Sequence, residues 1–171
     1  MPQLIKPTTR LREAWLDSLA DWGRDVHQDG AGFWPGDSAD TPEEFADWVA
    51  RLHRQEDVTV PPEPDRVHCS YRWMVEGDRI LGTIALRHEL NDFLFNLGGH
   101  IGYGVRPSER RRGLAGWALG ETLVAAKELG LDRVLITCDD DNVASARTIE
   151  RAGGVMEDMR EGKRRYWITI S

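Results

Sequence analysis

The stretch Val105 to Ala115 (VRPSERRRGLA) constrains this chain more than any other. An apolar, strand-like segment ends at Val105, a proline and three consecutive arginines follow, and Gly113 opens a run with apolar residues at helical spacing. A strand that turns straight into a helix leaves successive backbone N–H groups without internal acceptors, close to the positive end of the helix macrodipole. Such a turn is an anion cradle. Gly113 and Ala115 are small enough for an anion to reach the main chain. Arg110, Arg111 and Arg112 put positive charge where a polyphosphate needs it. The loop is not a nucleotide P-loop: no Gly-Lys-Ser/Thr follows, and no Gly-x-Gly-x-x-Gly appears.

The rest of the chain is read from spacing. Gln3 to Ile5 predicts a short first strand, and Leu11, Trp15, Leu19 and Trp22 predict an amphipathic helix. Gly30 to Gly36 (GAGFWPG) breaks that pattern. Thr41-Pro42-Glu43-Glu44 is a helix start, with Thr41 as cap, Pro42 at the first position and acids in the first turn. Phe45, Trp48, Val49 and Leu52 supply its apolar face, and Val60 to Pro64 is a stiff, exposed connection. From Cys69 the period shortens. Cys69 to Glu76, the turn Gly77-Asp78 and Arg79 to Leu90 predict a hairpin. His100 to Val105 is a further strand, in which Gly102 and Gly104 mark a bulge or a close approach of another backbone. A helix carrying Ala115, Ala118, Leu119, Leu123, Ala126 and Leu129 closes at Gly130. Arg133 to Cys138 is a buried strand, Asn142 to Ala152 a helix, and Val155 to Met159 with Arg165 to Ile170 a final hairpin. This order predicts an α/β fold of the mixed α+β kind: a central twisted mixed sheet with helices on both faces and one right-handed βαβ unit. The length suits one domain spanning 1–171.

Arg110-x-x-Gly113-x-Ala115 resembles the Arg/Gln-x-x-Gly-x-Gly/Ala signature of the GNAT N-acetyltransferases, at the same place between strand and helix. Asn142-x-x-Ser145-Ala146 and Ala152-Gly153-Gly154 are similar to that family's second cofactor-side helix, so the resemblance runs from His100 to Glu157. It implies the GNAT acyl-CoA N-acyltransferase fold, acetyl-CoA as cosubstrate and no metal. It also implies direct transfer, in a ternary complex, to a primary amine of a small molecule or a protein. Carried over by residue, the backbone amides from Arg111 through Arg112, Gly113, Leu114 and Ala115 to Gly116 hold the pyrophosphate. The main chain at Val105 pairs with the pantetheine arm by strand addition. Asn142, with Ser145 beside it, meets that arm from the other side, and Arg147 or Arg151 meets the outer phosphates. Two parallel strands part beside the acetyl group. The Gly30 to Gly36 loop borders the acceptor and makes Phe33 and Trp34 substrate contacts. Two copies would pair through sheet or helix edges.

Direct transfer needs a neutral amine, a polarised thioester and protonation of the departing thiolate. An alkylamine of pKa near 10.4 costs about 4–5 kcal/mol to deprotonate at pH 7, so a base is useful. Backbone N–H near Val105 would stabilise the developing oxyanion. His100 is the first candidate for the base, Glu89 the second, and His88 and Tyr103 follow. The family commonly carries a tyrosine seven residues after the asparagine, to protonate the thiolate; here that position is Ile149. Either Tyr103 or water does that work, or the chain is a non-catalytic acyl-CoA sensor. Asp139, with Asp140 and Asp141, either attracts a cationic substrate or is an acidic helix entry that the macrodipole favours. Cys138 reads as a small core residue.

A formal net charge of −7 and a pI of about 5.2 exclude a general nucleic-acid binder, whose affinity comes from neutralising phosphates. Cys69 and Cys138 lie far apart, the opening Met1 to Arg12 is too polar for a signal peptide, and no apolar run is long enough to span a membrane. The expected location is a reducing cytoplasm. The five histidines and two cysteines show no zinc-ligand spacing.

Overall fold

The computed structural model describes residues 1–170. Its centre is a seven-stranded sheet. The strands in chain order are β1 (Gln3–Ile5), β2 (Cys69–Glu76), β3 (Arg79–Arg87), β4 (Ile101–Val105), β5 (Arg133–Asp139), β6 (Val155–Arg160) and β7 (Lys163–Thr169). Their order across the sheet is β1-β2-β3-β4-β5-β7-β6, and only β4 and β5 run parallel. The helices are α1 (Arg12–Trp22), α2 (Pro42–Glu56), α3 (Leu114–Glu128) and α4 (Val143–Arg151). The crossover from β4 through α3 to β5 makes the single βαβ unit that the element order predicts.

Strand alternation sorts the side chains into two cores. On one face Cys69, Tyr71, Trp73 and Val75 of β2 pack with Trp15 of α1 and Phe45, Trp48 and Leu52 of α2. On the other, Met74, Ile84, Ile101, Val134 and Ile136 pack with Leu119 and Ala126 of α3 and Ile149 of α4. Trp15 and Trp73 stack with ring centroids 5.6 Å apart, and Trp15 and Trp48 lie 4.7 Å apart. Three of the tryptophans are therefore core residues. The start of α2 is built as its sequence dictates: the Thr41 hydroxyl accepts the N–H of Glu44 at 3.1 Å, with Pro42 opening the helix.

The structure departs from the sequence reading most at two strand ends, with β7 beginning at Lys163 and not Arg165 and β3 ending early. The third strand stops at Arg87, not Leu90: the His88 N–H makes one last in-register bond to the carbonyl of His68, and the Asn91 side chain then accepts the Leu94 N–H at the start of a short π-helical turn, Leu94–Gly98. That turn lies over β5 and β7. The Thr137 hydroxyl donates to the Leu97 carbonyl, and the fully buried Arg165 donates to the Phe95 carbonyl.

Gly102 and Gly104 of β4 do admit a close backbone. The chain leaving α1 lies flat on this strand, with the carbonyl of Asp29 accepting the Thr83 hydroxyl at 3.2 Å. Gly30 sits against Gly102 so tightly that a Cβ on it would stand 2.3 Å from the Gly102 carbonyl oxygen, and its φ is +81°. Both sterics and backbone require glycine there. Gly30→Ala is expected to destabilise the fold by about 2–4 kcal/mol. Urea unfolding of the variant against the parent checks this, and a loss under about 0.5 kcal/mol, the scale of an ordinary surface substitution, would refute the packing described.

Candidate active site

Between β4 and β5 the sheet is incomplete. The two strands share one registered pair, Ile101 with Ile136, and then part. The bonds from Arg87 N–H to the His100 carbonyl (2.7 Å) and from Arg106 N–H to the Leu81 carbonyl (2.9 Å) fix the phase of β4. Within β4, the even-numbered Gly102 and Gly104 turn their main-chain polar groups to β3, so Tyr103 and Val105 turn theirs into the gap. This is a short length of unpaired sheet edge inside a sheet, facing a narrow opening. An extended amide chain is the ligand such an edge fits.

At the open end of the gap the loop after β4 folds as its sequence suggests. Arg111 and Gly113 both hold left-handed backbone, φ +68° and +73°. The first α3 amide bonded to the turn before it is that of Trp117, which donates to the Gly113 carbonyl. The amides of Arg111, Arg112, Gly113, Leu114, Ala115 and Gly116 have no acceptor among the described residues. Six successive donors at a helix start form a cradle suited to a pyrophosphate. The arginines contribute less than their number suggests. Arg110 donates to the Val105 carbonyl at 3.1 Å and lies over the Trp22 ring at 5.2 Å. Arg112 pairs with Glu109 and, at 3.1 Å, with Glu76. Arg111 alone is exposed with no partner among the described residues.

Across the gap, α4 presents Asn142 and Ser145. Asn142 caps the helix, its Oδ1 accepting the Ser145 N–H at 3.1 Å. The Tyr103 phenol reaches from β4 to the Ser145 hydroxyl at 2.8 Å. Burial, the largest influence, pushes the Tyr103 pKa up to about 12. Ile149 is wholly buried in the core, against Gly154, and points nothing polar at the gap. Cys138 is buried nearby, its thiol pKa raised chiefly by desolvation.

The other sequence candidates lie apart from this grouping. His100 sits at the closed end of the gap, 5% exposed. Its N–H donates to the Leu135 carbonyl at 2.7 Å, and its Nδ1 accepts the Leu135 N–H at 2.9 Å. The ring thus splices β4 to β5, and the neutral form carries its proton on Nε2. Burial first, then Arg87 and Arg133, lowers its pKa to about 4. Glu89 is exposed just past β3. His88 is bonded to Ser70 at 2.7 Å. Asp139 and Asp140 are paired with Lys163 (2.6 Å) and Arg164 (3.0 Å), so their charge is largely spent locally. Phe33 packs on Trp15 and Trp48 as part of the core's rim. Trp34 stays exposed, stacked on His27 at 5.0 Å. Arg151 is exposed at the end of α4.

Sequence reasoning missed the ion pairs that anchor the loop after β4. Arg106, 4% exposed, donates through Nε to Asp21 (2.7 Å) and through Nη1 to Asp17 (3.1 Å) on α1. A signal was present: two acids four residues apart near a helix C-terminus oppose the macrodipole and call for a buried cation.

The fold and this gap define an acyl-CoA-type acetyltransferase domain. A family model described as an acetyltransferase (GNAT) domain matches residues 9–155, and the chain belongs to that family. Among solved structures it is similar to an acetyl transferase from Salmonella typhimurium that modifies the N-terminal serine of the 50S ribosomal protein L7/L12. The identity there is 16%, with 99% of this chain and 95% of that one covered, at a TM-score of 0.64. The Campylobacter jejuni N-acetyltransferase PseH in complex with acetyl coenzyme A matches at 12% identity, all of both chains and TM-score 0.61. An N-acetyltransferase from Staphylococcus aureus Mu50 matches at 15%, covering 100% and 99%, with TM-score 0.62. These are likenesses of fold. No curated protein matches the sequence significantly.

The His100 splice has a consequence for stability. Folding lowers the pKa of this base from 6.5 to about 4, so the unfolded chain binds the extra proton in that window. The contribution is complete above pH 6.5 and is lost as pH falls toward 4, a change of up to about 3 kcal/mol. His100→Asn keeps an acceptor for the Leu135 N–H and is expected to flatten this part of the profile. Urea unfolding at about pH 7 and about pH 4.5 measures it; an unchanged slope in the variant would contradict the assignment.

Proposed function

We propose that this protein transfers the acetyl group of acetyl-CoA to a primary amine by direct attack in a ternary complex. The observation that carries this reading is the junction of two features in one opening: the β4 edge at Tyr103 and Val105, which no strand pairs although Arg110 reaches the Val105 carbonyl, and the row of free amides from Arg111 to Gly116. The amides hold the pyrophosphate and Arg111 adds its charge. The β4 edge pairs with the amide arm, and Asn142 and Ser145 close over it from α4. Acetyl-CoA supplies an activated thioester, and main-chain N–H on the same edge faces the charge that develops on its oxygen.

Two roles remain, base and leaving-group donor. His100 does not suit the first, because its Nδ1 lone pair is committed to Leu135 and the neutral ring holds its proton on Nε2. Glu89, exposed beyond β3 and apart from Tyr103 and Val105, is the remaining carboxylate candidate and would act on the amine through water. Tyr103 takes the place left by Ile149. Its phenol keeps its proton at neutral pH, is held by Ser145, and donates a hydrogen bond to the departing sulfur. The alternative, a non-catalytic acyl-CoA sensor, rests on the buried Ile149.

The test is acceptor-dependent thiol release from acetyl-CoA across a panel of small amines and peptide N-termini, with acetyl-CoA binding measured by calorimetry. Tyr103→Phe is expected to lower kcat on the order of a hundredfold, while acetyl-CoA affinity changes little. Because its pKa lies near 12, Tyr103 should add no alkaline limb to the rate profile below pH 10 or so. Binding without release from any acceptor would favour the sensor, and an unchanged kcat in Tyr103→Phe would remove this residue from the mechanism.

A further inference from the structure

The guanidinium of Arg106 is almost wholly buried, yet it touches no part of the gap. It lies where β4 becomes the cofactor-side loop. Its own N–H is the last rung to β3, bonding the Leu81 carbonyl at 2.9 Å. Its side chain runs back to α1 and meets Asp21 at 2.7 Å, Asp17 at 3.1 Å and the Ile80 carbonyl at 3.2 Å. Asp21 serves the loop a second time, accepting both the backbone N–H (3.3 Å) and the hydroxyl of Ser108 through the same oxygen. These contacts hold the Asp21 carboxyl below the usual carboxylate range, the Ser108 bond most of all.

The outer pairs around this centre are weak holders. Arg79 to Asp17 and Glu109, and Arg112 to Glu109 and Glu76, run through arginines 44% and 40% exposed, although Glu109 itself is only 14% exposed, and pairs with one partner open to solvent typically contribute under about 1 kcal/mol. Arg106, 4% exposed against 18% for Asp21, is the one arginine of the group that solvent does not reach. Breaking a buried pair of this kind is costly because the remaining charge is left without compensation. Without the pair, the side chains from Pro107 to Gly113, all of them polar or exposed, are held only through the solvent-open arginines Arg79, Arg110 and Arg112.

We propose that Arg106 is a positioning residue for acetyl-CoA: clamped by Asp21, it sets where the amide cradle stands relative to the β4 edge. This rests on the functional reading above. A diphosphate and an amide arm belong to one rigidly linked ligand, so cradle and edge must keep a fixed separation to bind both at once. The clamp sits at the one point through which that separation is set. It acts on ground-state binding of the cosubstrate and not on the reacting atoms.

The experiment is calorimetric titration of acetyl-CoA into the parent protein, Arg106→Lys, Asp21→Asn and Ser108→Ala, with steady-state kinetics on each. Arg106→Lys keeps the charge but loses the forked contact to both acids. It and Asp21→Asn should weaken acetyl-CoA binding on the order of tenfold to a hundredfold, at unchanged stoichiometry. KM for acetyl-CoA should rise in step, while kcat at saturation and KM for the amine stay within about threefold, as expected for lost uniform binding. Ser108→Ala leaves the buried pair in place, guards against misfolding in the other two, and should show a smaller shift of the same sign. A purely structural role would instead lower the melting temperature and the fraction of competent sites with Kd unchanged. That result, or equal losses in kcat, would overturn the proposal while leaving the functional reading intact. Failure of the parent protein to bind acetyl-CoA would overturn both.

Discussion

The parting of β4 from β5 is the constraint on which the rest depends. Inside a sheet, an unpaired strand edge is normally closed by its neighbour, since buried main-chain polar groups without partners are costly. Here one pair, Ile101 with Ile136, is made and the following rungs are not. The closed end is stitched by a side chain: His100 fills the place of a strand residue by accepting the Leu135 N–H through its ring. Beyond it, Tyr103 and Val105 are left facing open space, and Arg110 lies across the Val105 carbonyl. The opening is therefore bounded by a histidine splice at one end and an amide cradle at the other.

Both faces of the sheet support that geometry. On one, glycine at 102 and 104 lets the chain after α1 lie directly on β4, with Trp22 packed on Gly104 and beneath Arg110. On the other, the same strand turns Ile101 and Val105 into the core and sends Tyr103 across to α4. Small residues on one side and large ones on the other make β4 a thin wall between the chain leaving α1 and the helices α3 and α4.

Much of this was legible in the sequence because it rests on local rules. The Thr41-Pro42 helix start, the glycines of β4 and the loop ending at Gly113 each have a short-range signature, and each stands where that signature puts it. The mixed sheet with one parallel pair followed from the single crossover, whereas the place of β7 between β5 and β6 had no local signature. What could not be read was long-range pairing of charges. Asp139 and Asp140 read as free acids, but β7 returns alongside β5 and supplies Lys163 and Arg164. Arg110 and Arg112 read as phosphate ligands, but each has a partner from its own fold. His100 read as a base because its residue type suits one, whereas its ring nitrogen is held by a backbone amide from a strand 35 residues away. Phe33 read as a substrate contact from its loop, yet the loop's path drives it into the tryptophan cluster.

The central claim is that acetyl-CoA completes the sheet at the gap and seats its diphosphate on the loop. Residue-resolved amide hydrogen exchange with and without acetyl-CoA reads both halves at once. The amides of Tyr103 and Val105 and those from Arg111 to Gly116 are expected to slow together at saturating acetyl-CoA, while β1 and α2 do not change. Binding accompanied by protection elsewhere, with these amides exchanging as before, would contradict it.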